Sequence, residues 1–305
     1  MNSLVVFLIA ILTAPLYPVM ISKTKAFFGG RQGPPLLINY YTLLKLLRKG
    51  SVYSRSTTFL FRLSPVVLLS VGAVALLFFP IAGLQPIWFF PGDVIVLLYL
   101  FALARFFTIL AALDTASPFE GMGASREAHF SVFAEITLFM TLILFYQLGG
   151  EISLAGLFQE GKIIGLWRTA GPMLIFVAIS LFMVLLAENA RVPVDDPTTH
   201  LELTMIHEVM ILDHSGPDLA FIHLGMYLKL MFYASMIARL IFPLQFSSAL
   251  LNILAFFLVL AVVYLIIGVI ESITARYKLT IVPRFLLVAF AIVLFAAIIT
   301  LEFRI

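Results

Sequence analysis

The chain has no cysteine among its 305 residues. A disulfide, a thiolate-held iron–sulfur cluster and a thioether-attached haem are therefore excluded, and any redox metal centre that works with it belongs to another polypeptide. Charge is the second scarcity. Only 11% of residues are Asp, Glu, Lys or Arg, against roughly a quarter in soluble domains. No Lys or Arg precedes the first apolar run, so that run lacks the basic n-region of a secretory signal and reads as a span. No internal repeat, low-complexity tract or soluble domain is visible, and the net charge of +3 says little about soluble partners.

Apolar residues fill the space that charge leaves. They make up 62% of the chain, and the mean hydropathy is +1.12. They come in runs long enough to cross a hydrocarbon core, which takes about 20 helical residues. In lipid a helix satisfies its own backbone hydrogen bonds, so eight spans are expected, over 3–21, 62–82, 93–113, 129–148, 170–188, 222–242, 249–271 and 283–303. The reading is an all-α integral membrane protein, one transmembrane domain over 1–305.

Lys and Arg then set the orientation, because positive loops stay cytoplasmic. Thirteen fall in the odd-numbered loops, eight of them in the first, and three on the opposite side. Both termini are expected outside, with the odd loops in the cytoplasm. The stretch 36–47 in the first loop is apolar but too short to span. As a helix it puts Leu36, Tyr40, Leu43 and Leu47 on one face, which suits either an amphipathic helix in the interface or one packed beneath the bundle. A short surface helix is expected within 149–171.

Ionisable groups at membrane depth are expensive and so are candidates for function. Arg105 and Lys229 lie within spans, and Asp114, Glu127, Glu135, Glu188 and Glu271 fall in their cytoplasmic halves. Glu127 and Glu135, eight residues apart, share a helical face. Such a row either passes protons or pairs with Arg105, Arg126, Arg191, Arg276 and Lys229 to pin helices together.

The fifth loop is the most acidic, with Asp195, Asp196, Glu202, Glu208, Asp213 and Asp218 beside a lone Arg191. Asp196-Pro197 reads as an N-cap with Pro at the first helical position, predicting a helix over about 197–212. His200, His207 and His214 recur every seventh residue. On a helix each step rises about 10 Å, too far for one metal ion. His207-Glu208 opens like a zincin motif, but position 211 is Ile. Asp195-Asp196 has no second Asp-rich pair to hold magnesium for prenyl transfer. No catalytic or metal site is expected.

Several stretches resemble a known family. Arg31-Gln-Gly-Pro34 is similar to the Arg-x-Gly-Pro of the H-type membrane subunit of respiratory complex I. Ala104–Phe107, Leu113-Asp-Thr-Ala-Ser-Pro-Phe119 and Gly121–Glu127 resemble the homologous subunit of formate hydrogenlyase and other group 4 membrane-bound NiFe hydrogenases. Glu188-Asn-Ala-Arg191-Val-Pro193-Val-Asp195 resembles the family's Glu-x-x-Arg-x-Pro-Phe-Asp. Glu208 with Asp213–Pro217 is similar to the end of its acidic loop, and Lys229 falls where the hydrogenase branch has a lysine. Val194 stands where the family has Phe, and the loop carboxylates are respaced, which marks a divergent branch.

The resemblance implies a complex I H-subunit-like bundle of about eight transmembrane helices plus an interfacial helix. It implies a subunit of an energy-converting oxidoreductase in the cytoplasmic (inner) membrane, with no cofactor of its own and quinone or lipid as candidate cavity occupants. Its partners would be a NiFe-hydrogenase-like large subunit, an iron–sulfur small subunit and antiporter-like membrane subunits, with no nucleic acid. Asp114, Glu127, Glu135, Glu188, Asp195, Glu202, Glu208, Lys229 and Glu271 would carry proton or ion coupling. Arg31, Arg105, Arg126, Arg191 and Arg276 would serve as charge partners and docking groups. The competing readings are a stand-alone secondary ion transporter, against which no inverted-repeat halves are visible, and an intramembrane enzyme using Asp195, Asp196 or His207.

Overall fold

The structure is a computed structural model that describes residues 3–159, 161–197, 205–243 and 246–303. Its described helices are α1 (Ser3–Thr13), α2 (Tyr17–Phe28), α3 (Ile38–Leu47), α4 (Phe59–Phe78), α5 (Asp93–Asp114), α6 (Pro118–Gly149), α7 (Leu154–Leu157), α8 (Lys162–Glu188), α9 (Gly216–Ile241), α10 (Ala249–Ile273) and α11 (Val282–Phe303). Eight stretches of them are long and apolar enough to cross a membrane. The chain is a multi-pass, all-helical membrane protein.

The first span is not one helix, as the run 3–21 suggested, but α1 and α2 joined at a break. Pro15 and Pro18 have no N–H to give, and Leu16 and Val19 turn to Thr13 and Leu16 carbonyls. The Leu12 and Pro15 carbonyls are thereby left without helical donors. α3 supplies replacements: the Tyr40 hydroxyl donates to Leu12 O and Asn39 Nδ2 donates to Pro15 O at 2.8 Å. The inward face of α3 is therefore Asn39, Tyr40, Leu43 and Leu46, with Leu36, Leu37, Tyr41, Leu44 and Leu47 exposed. Of the face expected from sequence, Tyr40 and Leu43 pack inward, whereas Leu36 and Leu47 point out.

Lipid offers no hydrophobic drive for helices to associate, so close packing and small residues must hold them. α4 crosses α9 where Gly72 meets Gly225. A Cβ on Gly72 would lie 3.1 Å from the Gly225 carbonyl, and one on Gly225 would lie 3.0 Å from Leu68 backbone. α10 lies against α2 at Gly268, whose added Cβ would come within 2.7 Å of Thr24 Cβ. α11 buries the stripe Val282, Leu286, Ala289, Val293, Ala296 and Ala297 against α6 and α8. Ser180 Oγ of α8 donates to the Ala289 carbonyl at 3.0 Å.

Several spans begin earlier than their apolar runs. α6 starts at Pro118 rather than near 129, and α8 at Lys162 rather than near 170. The extra turns of α6 lie under the loop that follows α8: Gly123 packs against Val209 and the Ile206 carbonyl. The short α7 accounts for the surface helix expected within 149–171. It is held by Asp93, which accepts from Leu154 N at 2.8 Å and Ser153 Oγ at 2.9 Å, and its Leu154 and Leu157 are buried rather than superficial.

The helix expected over 197–212 does not form in its described part. Residues 198–204, with His200 and Glu202, lie outside the described residues. From Met205 on, the chain makes only a 3-10 turn at Glu208–Ile211. The Ile206 and His207 amides donate instead to the Asp195 carboxylate, at 3.1 and 3.0 Å, which removes the donors an α-helix would need.

Candidate functional site: a buried chain of charges

Arg105 of α5 is the hub. Its guanidinium places Nε 3.1 Å from Glu127 Oε1, Nη1 against Glu135 Oε1 and Nη2 against Glu188 Oε1. Glu127 and Glu135 share one face of α6, as their spacing predicts, and Glu188 ends α8. Arg105 can serve three carboxylates because its rigid fork presents five donors. Glu188 is shared in turn: Lys229 Nζ of α9 donates to its Oε2 at 2.7 Å and to its backbone carbonyl at 2.8 Å. Four membrane helices are joined through two cations.

The chain of charges continues through His207 into the loop after α8. Its Nε2 lies 3.1 Å from Glu127 Oε2, and its Nδ1 lies 3.4 Å from Asp195 Oδ2. Asp195 is wholly buried, and its Oδ1 lies 2.8 Å from Arg276 Nη2 in the segment between α10 and α11. Burial alone would push the Asp195 carboxyl up, but the hydrogen bond and charge of His207 and the charge of Arg276 hold it below its ordinary range. Burial likewise pushes the His207 imidazole down, and the Glu127 and Asp195 carboxylates outweigh it and hold it above its ordinary value. Glu208 is the opposite case. Burial, with Asp195 adding like charge, raises it to about 7, placing its titration near neutrality.

A second cluster lies beside the first. Glu271 of α10 has Oε2 3.1 Å from Lys25 Nζ of α2 and Oε1 3.6 Å from Arg191 Nη1. Lys25 also lies 3.9 Å from Asp196.

The remaining candidates are placed elsewhere. Asp114 stands apart, accepting from Thr58 N at 2.6 Å and Thr58 Oγ1 at 2.9 Å where α4 begins. Arg126 Nη1 donates to the Met205 carbonyl at 2.8 Å. Arg31 is exposed and has no ion pair among the described residues. His214 stacks on Phe61 at 3.8 Å between ring centroids, and burial lowers its imidazole to about 4, so it sits there neutral. Glu120, which the sequence reading passed over, is wholly buried in the first turn of α6 and accepts from Asp213 N at 3.1 Å.

A cavity of about 70 Å³ adjoins the first cluster, lined by Arg105, Glu127, Glu188, His207 and Lys229 with Leu68, Phe101, Met210 and Met226. A water needs about 10–15 Å³ in such a measure, so the space suits a short file of waters. A small pocket on the other side of Glu127, Glu188 and His207 is lined further by Phe130, Ser131, Val194 and Leu286.

An eight-span bundle without cysteine, carrying buried ion clusters that reach into its loops, defines a polytopic membrane subunit built around charge. The comparisons give its family. The NADH dehydrogenase family model matches residues 1–302, and the chain belongs to that family. It is 30% identical over 283 residues to formate hydrogenlyase subunit 4 of Escherichia coli (strain K12), covering 91% of each chain. It is 29% identical over 294 residues to hydrogenase-4 component C of the same strain, covering 92% of this chain and 87% of that one. A chain of the membrane-bound sulfane sulfur reductase, an archaeal respiratory membrane complex, shares the fold with a TM-score of 0.82 over 97% of both chains, at 18% identity.

Proposed function

We propose that this chain is the membrane subunit that seats the peripheral redox arm of an energy-converting oxidoreductase and couples electron transfer there to H⁺ or Na⁺ movement. One observation carries the reading: an unbroken chain of charges, Glu135–Arg105–Glu188–Lys229 and Glu127–His207–Asp195–Arg276, runs from membrane depth into two loops. Buried pairs are poor devices for stability, because desolvation offsets most of their attraction. Four carboxylates gathered on this scale fit movement of charge better than simple bracing.

On this reading the chain lies in the cytoplasmic membrane with both termini outside. The basic first loop and the loop 189–215 face the cytoplasm, where the partners are a NiFe-hydrogenase-like large subunit and an iron–sulfur small subunit. Antiporter-like subunits neighbour it within the membrane. Formate hydrogenlyase and hydrogenase-4, whose subunits it resembles, suggest the hydrogenase type of arm.

Purification through a tag on this chain tests the assembly: iron–sulfur and antiporter-like subunits are expected to accompany it. Recovery of a stable lone protein that moves ions in liposomes would overturn the reading in favour of a secondary transporter. The missing cysteines make orientation easy to check. Ser54→Cys in the first loop should react only from the cytoplasmic side, and Gln85→Cys only from outside.

A further inference from the structure

We propose that His207 is the residue that hands protons from the loop after α8 to Glu127, with Asp195 and Arg276 holding the imidazole in place. The inference rests on the coupling reading above and names a proton carrier for it. No motif assigns His207 this part. It comes from where the ring lies and from the charge count around it.

The count comes first. Among the described residues, the linked cluster contains the carboxylates of Glu127, Glu135, Glu188 and Asp195 and the basic groups Arg105, Lys229 and Arg276. Three buried carboxylates and the half-exposed Glu135 there face three cations, so one proton can be carried within the cluster without leaving a full charge uncompensated. An uncompensated charge is costly where water is scarce. The same proton can rest on the imidazole, making a fourth cation, or on Glu127, removing a carboxylate. Both states balance, and that equivalence is what a transfer site needs.

The geometry offers those two positions and little else. His207 Nε2 is buried, lies 3.1 Å from Glu127 Oε2 and has no aligned hydrogen bond. Its Nδ1 faces Asp195 Oδ2 at 3.4 Å. The backbone N–H of His207 donates to the same oxygen at 3.0 Å, and Arg276 lies on the other oxygen at 2.8 Å. A carboxylate so held fixes the tautomer and orientation of the ring, so Nδ1 keeps its hydrogen and Nε2 exchanges. The step is one proton: the Nε2–H bond breaks, a Glu127 Oε2–H bond forms, and the ring becomes neutral. A proton arriving through water from the loop side restores Nε2–H after Glu127 has released its own into the cavity. His207 and Glu127 line both that cavity and the small pocket beside it, so together they stand between two spaces.

The other charged groups around the ring pull on its proton in opposite directions. Lys229 of α9 opposes the imidazolium, and Glu127 of α6 and Asp195 of the loop favour it. Glu208, next in the chain, feels both His207 and Arg191. Arg105 of α5 and Glu188 of α8 share the lining of the cavity.

The test uses the intact complex in vesicles, following electron transfer and ion uptake together. Glutamine at position 207 can hydrogen-bond but cannot titrate, so His207→Gln should retain electron transfer to a soluble acceptor while ion uptake per electron falls roughly tenfold or more. In His207→Ala, added imidazole should restore uptake with the pH profile of the free base. On the wild type, infrared difference spectra during turnover with isotope-labelled histidine should show ring bands changing in step with a protonated carboxyl band. Full uptake and an unchanged pH profile in His207→Gln would overturn the relay alone, as would wild-type spectra with neither band. Wild-type vesicles that build no ion gradient would sink the coupling reading and the relay with it.

Discussion

Asp195 and Asp196 are adjacent in the chain but belong to different ion clusters, Asp195 lying 2.8 Å from Arg276 and Asp196 3.9 Å from Lys25. One peptide link thus ties the segment before α11 to the second half of the broken first span. The loop after α8 acts as a clasp between the two.

The clasp has a testable anchor in Glu271, which is buried and faces both Lys25 and Arg191. Glu271→Gln leaves two cations short of a partner. Breaking a fully buried pair costs about 3–5 kcal/mol, and ~2 kcal/mol is expected here because the Lys25 side chain is still 28% exposed. Hydrogen exchange should rise in residues 22–31 and 191–196, with little change in α5 or α6. Uniform exchange across all four segments would mean that Glu271 braces the bundle as a whole.

Glu135 and Glu188 share Arg105 but differ in surroundings. The Glu135 side chain is 42% exposed and that of Glu188 is 2% exposed. An exposed pair is worth about 1 kcal/mol or less, so Glu135→Gln should hardly alter the melting midpoint in detergent. Glu188→Gln strands Lys229 and part of Arg105 in a dry site and should cost a few kcal/mol. Both variants should lower ion uptake per electron. If both keep full uptake, the carboxylates are structural.

Gly123 packs closely against the segment that carries His207. A Cβ there would meet Val209 Cγ1 at 2.3 Å and the Ile206 carbonyl at 2.9 Å, on the two sides of His207 in the chain. Gly123→Ala should force residues 206–209 outward at a cost of about 1–3 kcal/mol. The spans should stay intact while uptake per electron falls. Unchanged uptake would show that the close approach serves packing only.

The spans were legible because run length and composition decide them, and lipid leaves few alternatives to helix. Their irregularities were not. Pro15 and Pro18 break the first span inside an unbroken apolar run, where hydropathy registers nothing. The early turns of α6 are polar and read as loop, because only the tertiary contact of Gly123 with residues 206–210 makes them interior. The helix expected from Asp196-Pro197 had a sound cap signal, but the Asp195 carboxylate took the amides of Ile206 and His207. Among site residues, the cost of charge at membrane depth pointed to Glu127, Glu135, Glu188 and Lys229. Their partners could not be paired from sequence, since Arg105 and Glu188 lie 83 positions apart. Lys25 read as a topology charge, and His207 belonged to a metal motif that failed.

Glu208 supplies the pH prediction. Burial, with the nearby Asp195 carboxylate, raises it from its ordinary 4.5 to about 7. The folded protein therefore holds a proton that the unfolded chain has released between these values, and stability falls as pH rises across that window. His207 acts in the same direction at higher pH. Its imidazole is held above the ordinary value, so its contribution is complete below about 6.5 and is lost as pH climbs through the raised value. Asp195, held below its ordinary value, contributes above the carboxylate range and loses that contribution only in acid. Glu208→Gln keeps the neutral form at every pH. It should flatten the decline between about pH 5 and 7, raise the melting midpoint at pH 8, and leave the further decline due to His207 in place. Melting followed across pH 5–9 for the wild type and the variant would show this, and parallel curves would mean that Glu208 is ionised in the folded protein.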